Sequence, residues 1–505
     1  MMKSLRLLYT SDTHGYLYPT DYAGGAEKAM GLFNLAAAFD RDEHTLLLDG
    51  GDTIQGSPFT NFTHRLPLRP HPIAQAMNQI GYDYVTLGNH DFNYGIAHLE
   101  AYLCDLRAVC LCANIYDRRR RLPIRPWAVH TLPNGLRVGL TGVCTHYVTR
   151  WERPETLAEL HIEPPLPAAR RALEAMRGQA DVTVCLYHGG FERDLQTGAL
   201  LTQSAENQAW QLCQELGFDV VLTGHQHMAV PCARIGKSVA VQPAYRAVHY
   251  AQVDVQLGEQ GLRAEARLCP PAPLPAAGPA ALLAPLQARV EAWLDTPKGH
   301  LDRPLPAEAH LKMASEGSLL ANLINLIQQE ASGAQISATS MGNEIKGMNQ
   351  EVTIRDVVAS YIYSNTLVVL EMTGEQLRRY VERTAAYFAL DECGRLAVSD
   401  AFLRPKVEHY NYDYFWGMDY AIDVRRPVGS RVVSMRLDGR DIDDAQRLTV
   451  CVINYRASGT GGYDVIREAR VLREIQQDVS ELIIAYIESH PHITVPTHRP
   501  LTLLH

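Results

Sequence analysis

The chain has 505 residues, too many for one hydrophobic core and enough for two domains of ordinary size. Its formal net charge of −9 excludes a surface built to hold nucleic acid polymers, so an anionic small molecule would need local compensation by cations. No run of about 18 apolar residues is present to span a membrane, and Met1–Tyr9 passes into Thr10–His14 too soon for a signal peptide, so a cytoplasmic protein without membrane partners is expected. Ten cysteines are scattered without a CxxC pair, and several (Cys144, Cys185, Cys451) sit in apolar runs, as reduced buried thiols do.

In chain order, residues 4–9 read as a first strand ending in Asp12-Thr13-His14-Gly15. Ala29, Leu32, Phe33, Leu35, Ala36 and Phe39 recur at helical spacing. Thr45–Leu48 is a second strand running into Asp49-Gly50-Gly51-Asp52, and a helix is expected over 72–80. Tyr84-Val85-Thr86-Leu87 then delivers Gly88-Asn89-His90-Asp91 into a tight turn. Further strands are expected at Val138–Leu140, Val182–Leu186 and Val220–Leu222, the last two ending in Tyr187-His188-Gly189-Gly190 and Thr223-Gly224-His225-Gln226-His227. Strands alternating with helices indicate an α/β domain, α+β for the chain as a whole. From Leu268 a proline-rich stretch reads as a linker, followed by a helix over 280–294. The expected division is 1–270, a linker and connecting helix over 271–299, and a second domain over 300–505. In that domain helices are expected over 318–329 and 376–388, and strands at 366–370, 420–424 and 448–453.

The strand ends carry the chemistry. Asp12, His14, Asp52, Asn89, His90, His188, His225 and His227 mix carboxylate, imidazole and amide, a set suited to Mn, Fe, Co, Ni or Zn rather than to Mg or Ca. Eight such residues exceed the needs of one ion, and a carboxylate such as Asp52 is able to bridge two. A lone Asp-x-His or His-x-His pair is more often structural; five motifs in sequence, each ending an apolar run, are not explained that way. Either Asn93 or Asp91 is a candidate to orient His90. In the second domain Tyr410, Tyr412, Tyr414, Phe415, Trp416 and Tyr420 form a dense aromatic segment, and Tyr463 follows Gly459-Thr460-Gly461-Gly462. Aromatic faces stack on nucleobases, though such a run is more often core. Arg456 is suited either to contact phosphate or to brace its loop.

Asp12-Thr13-His14, Gly51-Asp52, Gly88-Asn89-His90-Asp91, Tyr187-His188-Gly189 and Gly224-His225-Gln226-His227 together resemble the calcineurin-like metallophosphoesterases, and the whole chain is similar to the 5'-nucleotidase family. The resemblance implies a metallophosphatase β-sandwich flanked by helices, then a mixed α/β substrate-specificity domain, with the active site in the cleft between them. It implies two divalent ions, one held by Asp12, His14, Asp52 and His227 and the other by Asp52, Asn89, His188 and His225, with His90 as the catalytic imidazole near the phosphoryl group. It also implies a base held between two aromatics, for which Tyr412 (or Tyr410) and Tyr463 are the candidates. Gly88–Gly95 looks like the 2',3'-cyclic-nucleotide 2'-phosphodiesterase members, because Asn93 stands where typical 5'-nucleotidases carry Asp. Met341-Gly342-Asn343-Glu344 departs from the Gly-Gly-x-Arg turn of the 5'-nucleotidases. The expected activity is two-metal hydrolysis of nucleotide phosphate esters, with 2',3'-cyclic nucleotides first. A 5'-nucleotidase or nucleotide-sugar hydrolase is the alternative, and a non-catalytic nucleotide-binding protein is disfavoured by the intact ligand set.

Overall fold

The computed structural model describes every residue except Met1, Gly25, Arg153, Thr202–Ser204, Ala276–Ala277, Ser364 and Pro405–Lys406, so part of the proline-rich linker lies outside the described residues. The chain divides into two compact units, Met1–Asp21 with Gly25–Glu291 and Tyr22–Gly24 with Ala292–His505.

The first unit is built on two sheets. One orders its strands Gly261–Cys269, Tyr250–Gly258, Lys3–Thr10, Thr45–Asp49, Tyr84–Val85, Val109–Leu111, Ile124–Arg125; the other orders them Ala229–Ile235, Ser238–Pro243, Val220–Thr223, Val182–His188, Arg137–Cys144, Trp127–Thr131. Leu5, Leu7, Leu46 and Leu48 of the first sheet join Val138, Leu140, Val184, Leu186 and Leu222 of the second in one core. The intervening Leu8 and Leu47 are fully buried as well. Since alternate residues of a strand point to opposite faces, the outer face of the first sheet is also covered. On the second sheet the outer layer is the helix Pro165–Met176, whose Ala168, Ala169, Ala172 and Met176 pack with Val143, Cys185 and Val221. The result is a β-sandwich flanked by helices.

Parallel register sets where the polar turns fall. Thr10 pairs with Asp49 and Asp49 with Val85, while Tyr187 pairs with both Val143 and Thr223. Neighbouring strands therefore end level with one another, and the turns beyond them gather at their carboxyl ends.

Two local expectations are corrected. The helical repeat read from Ala29 yields a helix only over Leu32–Ala38, because Gly31 enters it at φ 100°, outside helical geometry. The run opening at Tyr84 is a strand for two residues, Tyr84–Val85, before it turns.

The second unit holds a five-stranded mixed sheet, ordered Asp413–Trp416, Ile336–Ser340, Arg447–Ile453, Leu367–Thr373, Arg470–Ile475, and a four-stranded one containing Asp419–Asp423. The helix Leu319–Ser332 starts where Ser318 accepts the N–H of Ala321 and stops at the left-handed Gly333. The expected helix over 376–388 is observed over Gly374–Ala385, begun by a capping box of Thr373 and Gln376; Phe388 already belongs to a strand. Among the described residues no helix is long and apolar enough to cross a membrane.

Candidate active site

Five of the eleven non-glycine residues described at positive φ are Asp12 (53°), His14 (48°), Asp52 (54°), His225 (72°) and His227 (57°). Left-handed backbone disfavours side chains and persists only where the surroundings over-determine it, which is common at functional sites. Here the turns lock one another: Asp12 N donates to Gly51 O (2.9 Å), His14 N to Asp52 O (2.8 Å) and His225 N to the Asp12 carboxylate (2.9 Å). Their approach is tight enough that a Cβ on Gly88 would lie 2.1 Å from Asp52 Oδ1. Gly88 is needed for that space.

Two sets of donor atoms converge. Asp12, His14 and His227 offer atoms all within 4.8 Å of one another, and so do Asp52, His188 and His225. His14 Nε2 and His227 Nε2 face each other at 3.1 Å, with Asp12 Oδ1 3.6 Å from His227 Nε2. His188 Nε2 lies 3.2 Å from Asn89 Oδ1 and 3.2 Å from Asp52 Oδ2. That same Asp52 Oδ2 is 4.0 Å from His14 Nε2 and is buried without a hydrogen-bond partner among the described residues. It stands between the two sets, 3.2 Å from His188 Nε2 as its ion-pair partner and without a well-aligned hydrogen bond, where one carboxylate oxygen is able to bridge two cations.

The outer nitrogens of these imidazoles are occupied as metal-bound histidines require. Gln55 O accepts from His14 Nδ1 (2.9 Å), Gly50 O from His188 Nδ1 (2.8 Å), and Glu206 Oε1 lies 2.7 Å from His225 Nε2. Burial pushes His14 down to about 4 and His227 well below the usual imidazole range, keeping both neutral with a lone pair to give. Burial opposes charge on His188 too, but the Asp52 carboxylate overcomes it and lifts His188 to about 10. Burial lifts Asp12 to about 6. The set of imidazole nitrogens with the Asp12 and Asp52 carboxylates fits divalent ions of the borderline class.

His90 donates its backbone N–H to Asp52 Oδ1 (2.7 Å), and its ring meets that of His14 edge to face at 5.4 Å. Its Nδ1 is 2.7 Å from Asn93 Oδ1. Asp91, the other expected partner, is corrected: its buried carboxylate accepts the backbone N–H groups of Asp52, Thr53, Ile54 and Gly88 (2.8–3.1 Å) and so knits two turns together. A carboxylate saturated by four amides has no role to spare for the imidazole.

In the second unit the expected base sandwich is corrected on the same grounds. Tyr412 is 2% exposed, its ring packed on Tyr387 and Phe388 and its hydroxyl donating to Ala314 O. Tyr463 is 0% exposed, with its hydroxyl on Asn411 O and Arg456 over its ring at 3.9 Å. Neither has a face for a base. Arg456 takes the bracing role, bidentate to Asp413 (2.7 and 2.8 Å) and bonded to the carbonyls of Tyr410 and Thr460. Tyr410 is half-exposed, edge to face with Tyr363 and Tyr455.

Several residues at the site carry no motif. Trp151 stacks on His225 (centroids 5.4 Å) and Tyr245 on His227 (4.5 Å, 4° between planes). Arg246 lies over the rings of Tyr16 and Tyr245, and its charge helps depress His14. Glu152 Oε1 accepts from Asn93 Nδ2 (2.9 Å).

A two-sheet sandwich with two ligand sets at the strand ends defines a metallophosphoesterase, and the comparisons agree. The calcineurin-like phosphoesterase profile matches residues 5–229 and the 5'-nucleotidase C-terminal domain profile residues 298–468. A candidate 5'-nucleotidase of Staphylococcus aureus superposes over 100% of both chains with a TM-score of 0.75 at 30% identity. The 2',3'-cyclic-nucleotide 2'-phosphodiesterase/3'-nucleotidase of Salmonella typhimurium is 24% identical over 90% of this chain and 81% of its own. The trifunctional nucleotide phosphoesterase YfkN of Bacillus subtilis is 22% identical over 96% of this chain, which spans only 38% of that protein. The chain belongs to the 5'-nucleotidase family of calcineurin-like metallophosphoesterases. It is a phosphoric ester hydrolase that uses divalent metal ions.

Proposed function

We propose that the protein hydrolyses 2',3'-cyclic nucleotides and the nucleoside monophosphates they yield, using two ions. The observation that carries the two-ion reading is Asp52 Oδ2, shared between the two sets at 3.2 Å from His188 Nε2 and 4.0 Å from His14 Nε2. Asp12, His14 and His227 with Asp52 would hold one ion, and Asp52, His188 and His225 with Asn89 the other. Bound there, divalent ions supply Lewis-acid charge for the phosphate and acidify water near phosphorus.

The chain's own residues do the rest. The Asp52 bond to the His90 backbone pins the imidazole beside the ligand shell. With Asn93 Oδ1 accepting Nδ1–H, the ring works through Nε2, giving a proton to the leaving ribose oxygen or supporting charge on the phosphoryl oxygens. Arg246 adds a fixed cation to an acidic chain. Asn93 in the place of Asp, and the name of the Salmonella relative, support cyclic nucleotides as the first substrates. The full-length match to the Staphylococcus aureus structure favours 5'-nucleotides as the second reading. Of the aromatic segment, Tyr410 is the residue proposed to stack on the base.

Elemental analysis of the purified chain, combined with turnover of 2',3'-cyclic AMP, 3'-AMP and 5'-AMP, tests this. Two ions per chain and preference for the cyclic ester are expected; a strong preference for 5'-AMP would sink the first reading in favour of the second.

A further inference from the structure

We infer that Glu152 is a positioning residue that fixes the tautomer of His90 through the Asn93 amide. An amide has two ends that differ: its oxygen only accepts and its NH2 only donates. A carboxylate only accepts. With Glu152 Oε1 2.9 Å from the Asn93 side chain, the NH2 end must face Glu152, because the reversed amide would set its oxygen against the carboxylate. The oxygen end therefore faces His90 Nδ1 at 2.7 Å, and an acceptor there demands that Nδ1 carry the hydrogen. The ring's other nitrogen is then the one committed to chemistry. Asn93 alone, free to turn over, would offer His90 a donor or an acceptor equally well. Glu152 removes that ambiguity.

The placement of Glu152 is itself determined. It ends the short helix Val148–Trp151 with its N–H on Val148 O (2.9 Å), and the preceding Trp151 is held against His225. Two adjacent residues of one turn thus reach two separate parts of the site, Trp151 a ligand imidazole and Glu152 the His90–Asn93 pair. Glu152 and Asn93 are 59 positions apart, so no local motif reports the contact. The negative charge that an Asp at position 93 would place on His90 directly is here kept one hydrogen bond further away.

The inference rests on His90 acting at the phosphoryl group, and its test separates the two. Nitrogen-15 NMR of the full chain labelled at histidine, without metal and with diamagnetic zinc, should show a single His90 tautomer protonated at Nδ1. Glu152→Gln, which keeps the shape but is able to donate, should split that signal between tautomers and lower kcat about tenfold with KM and zinc content unchanged. Asn93→Asp placed in the Glu152→Gln chain should restore both the single tautomer and kcat, since a carboxylate at 93 accepts from Nδ1 without help. An unchanged His90 spectrum in Glu152→Gln, or failure of Asn93→Asp to restore it, overturns the inference. If the spectra behave as expected while His90→Ala keeps full turnover, the positioning stands and the catalytic reading of His90 falls.

Discussion

Two buried polar clusters, one in each unit, answer the same problem in opposite ways. Arg456 and Asp413 are buried together, and the guanidinium meets five acceptors, two carboxylate oxygens, two carbonyls and, at 3.4 Å, the Asn411 amide oxygen, with the Tyr463 ring beneath. Asp12, Asp52, His14 and His188 are just as buried, yet their donor atoms converge on one another, imidazole nitrogen on imidazole nitrogen (3.1 Å) and on Asp52 Oδ2, with few hydrogens to share among several lone pairs. Burial of a charge is costly in either case. A cluster that pairs a charge with its counter-charge is architecture, and one that gathers ligand atoms of two carboxylates and four imidazoles is suited to cations.

The largest test of that contrast is Asp52→Asn. Removing the shared charge should drop kcat about ten-thousandfold and reduce bound metal in elemental analysis; full metal content with full turnover would erase the distinction. Next is Arg456→Met, which leaves the buried Asp413 without its counter-ion and with the Tyr380 hydroxyl as its remaining side-chain donor. Urea unfolding should show a loss of about 3 to 5 kcal/mol, with metal content of the folded fraction unchanged. Smaller is Tyr410→Ala, expected to raise KM for nucleotides about tenfold, the size of a lost stacking contact, with kcat held; Tyr412→Phe should leave KM alone.

The smallest concerns a control inside the first unit. His71 and His98 face each other through Nε2 at 3.0 Å, as His14 and His227 do, but no carboxylate completes a ligand set around them among the described residues. Burial holds His71 down to about 3, against an ordinary 6.5. Between those values the unfolded chain binds a proton that the folded chain refuses, so stability falls as pH is lowered through that window, by up to about 1.4 kcal/mol per unit. Thermal unfolding from pH 7 to 4 should show the slope, and His71→Asn should lessen it without changing metal content, His98, which burial also holds down to about 4, contributing part of what remains.

How much of this was legible in the sequence follows from distance along the chain. The sandwich and the strand-end motifs are local: an apolar run, then a small residue, then a polar one, and the structure brings together Asp12, His14, Asp52, Asn89, His188, His225 and His227 from such motifs. Glu152, Glu206, Trp151 and Tyr245 reach the site from segments with no pattern of their own, so only the fold reports them. Asp91 misled because adjacency to His90 in sequence says nothing about where a carboxylate points. The aromatic segment misled in another way: Asp413–Trp416 pairs with Ile336–Ser340 and is buried along most of its length, so rings that looked suited to stacking became core.

The left-handed backbone at Asp12, His14, Asp52, His225 and His227 sets a trade between durability and turnover. Each such residue costs about 1 to 3 kcal/mol relative to a relaxed conformation, a cost glycine would avoid. Replacing His227, the least buried of the three histidines, with glycine should therefore raise the metal-free chain's melting temperature while abolishing activity. Selection for shelf life alone would erode this enzyme from its active site outward.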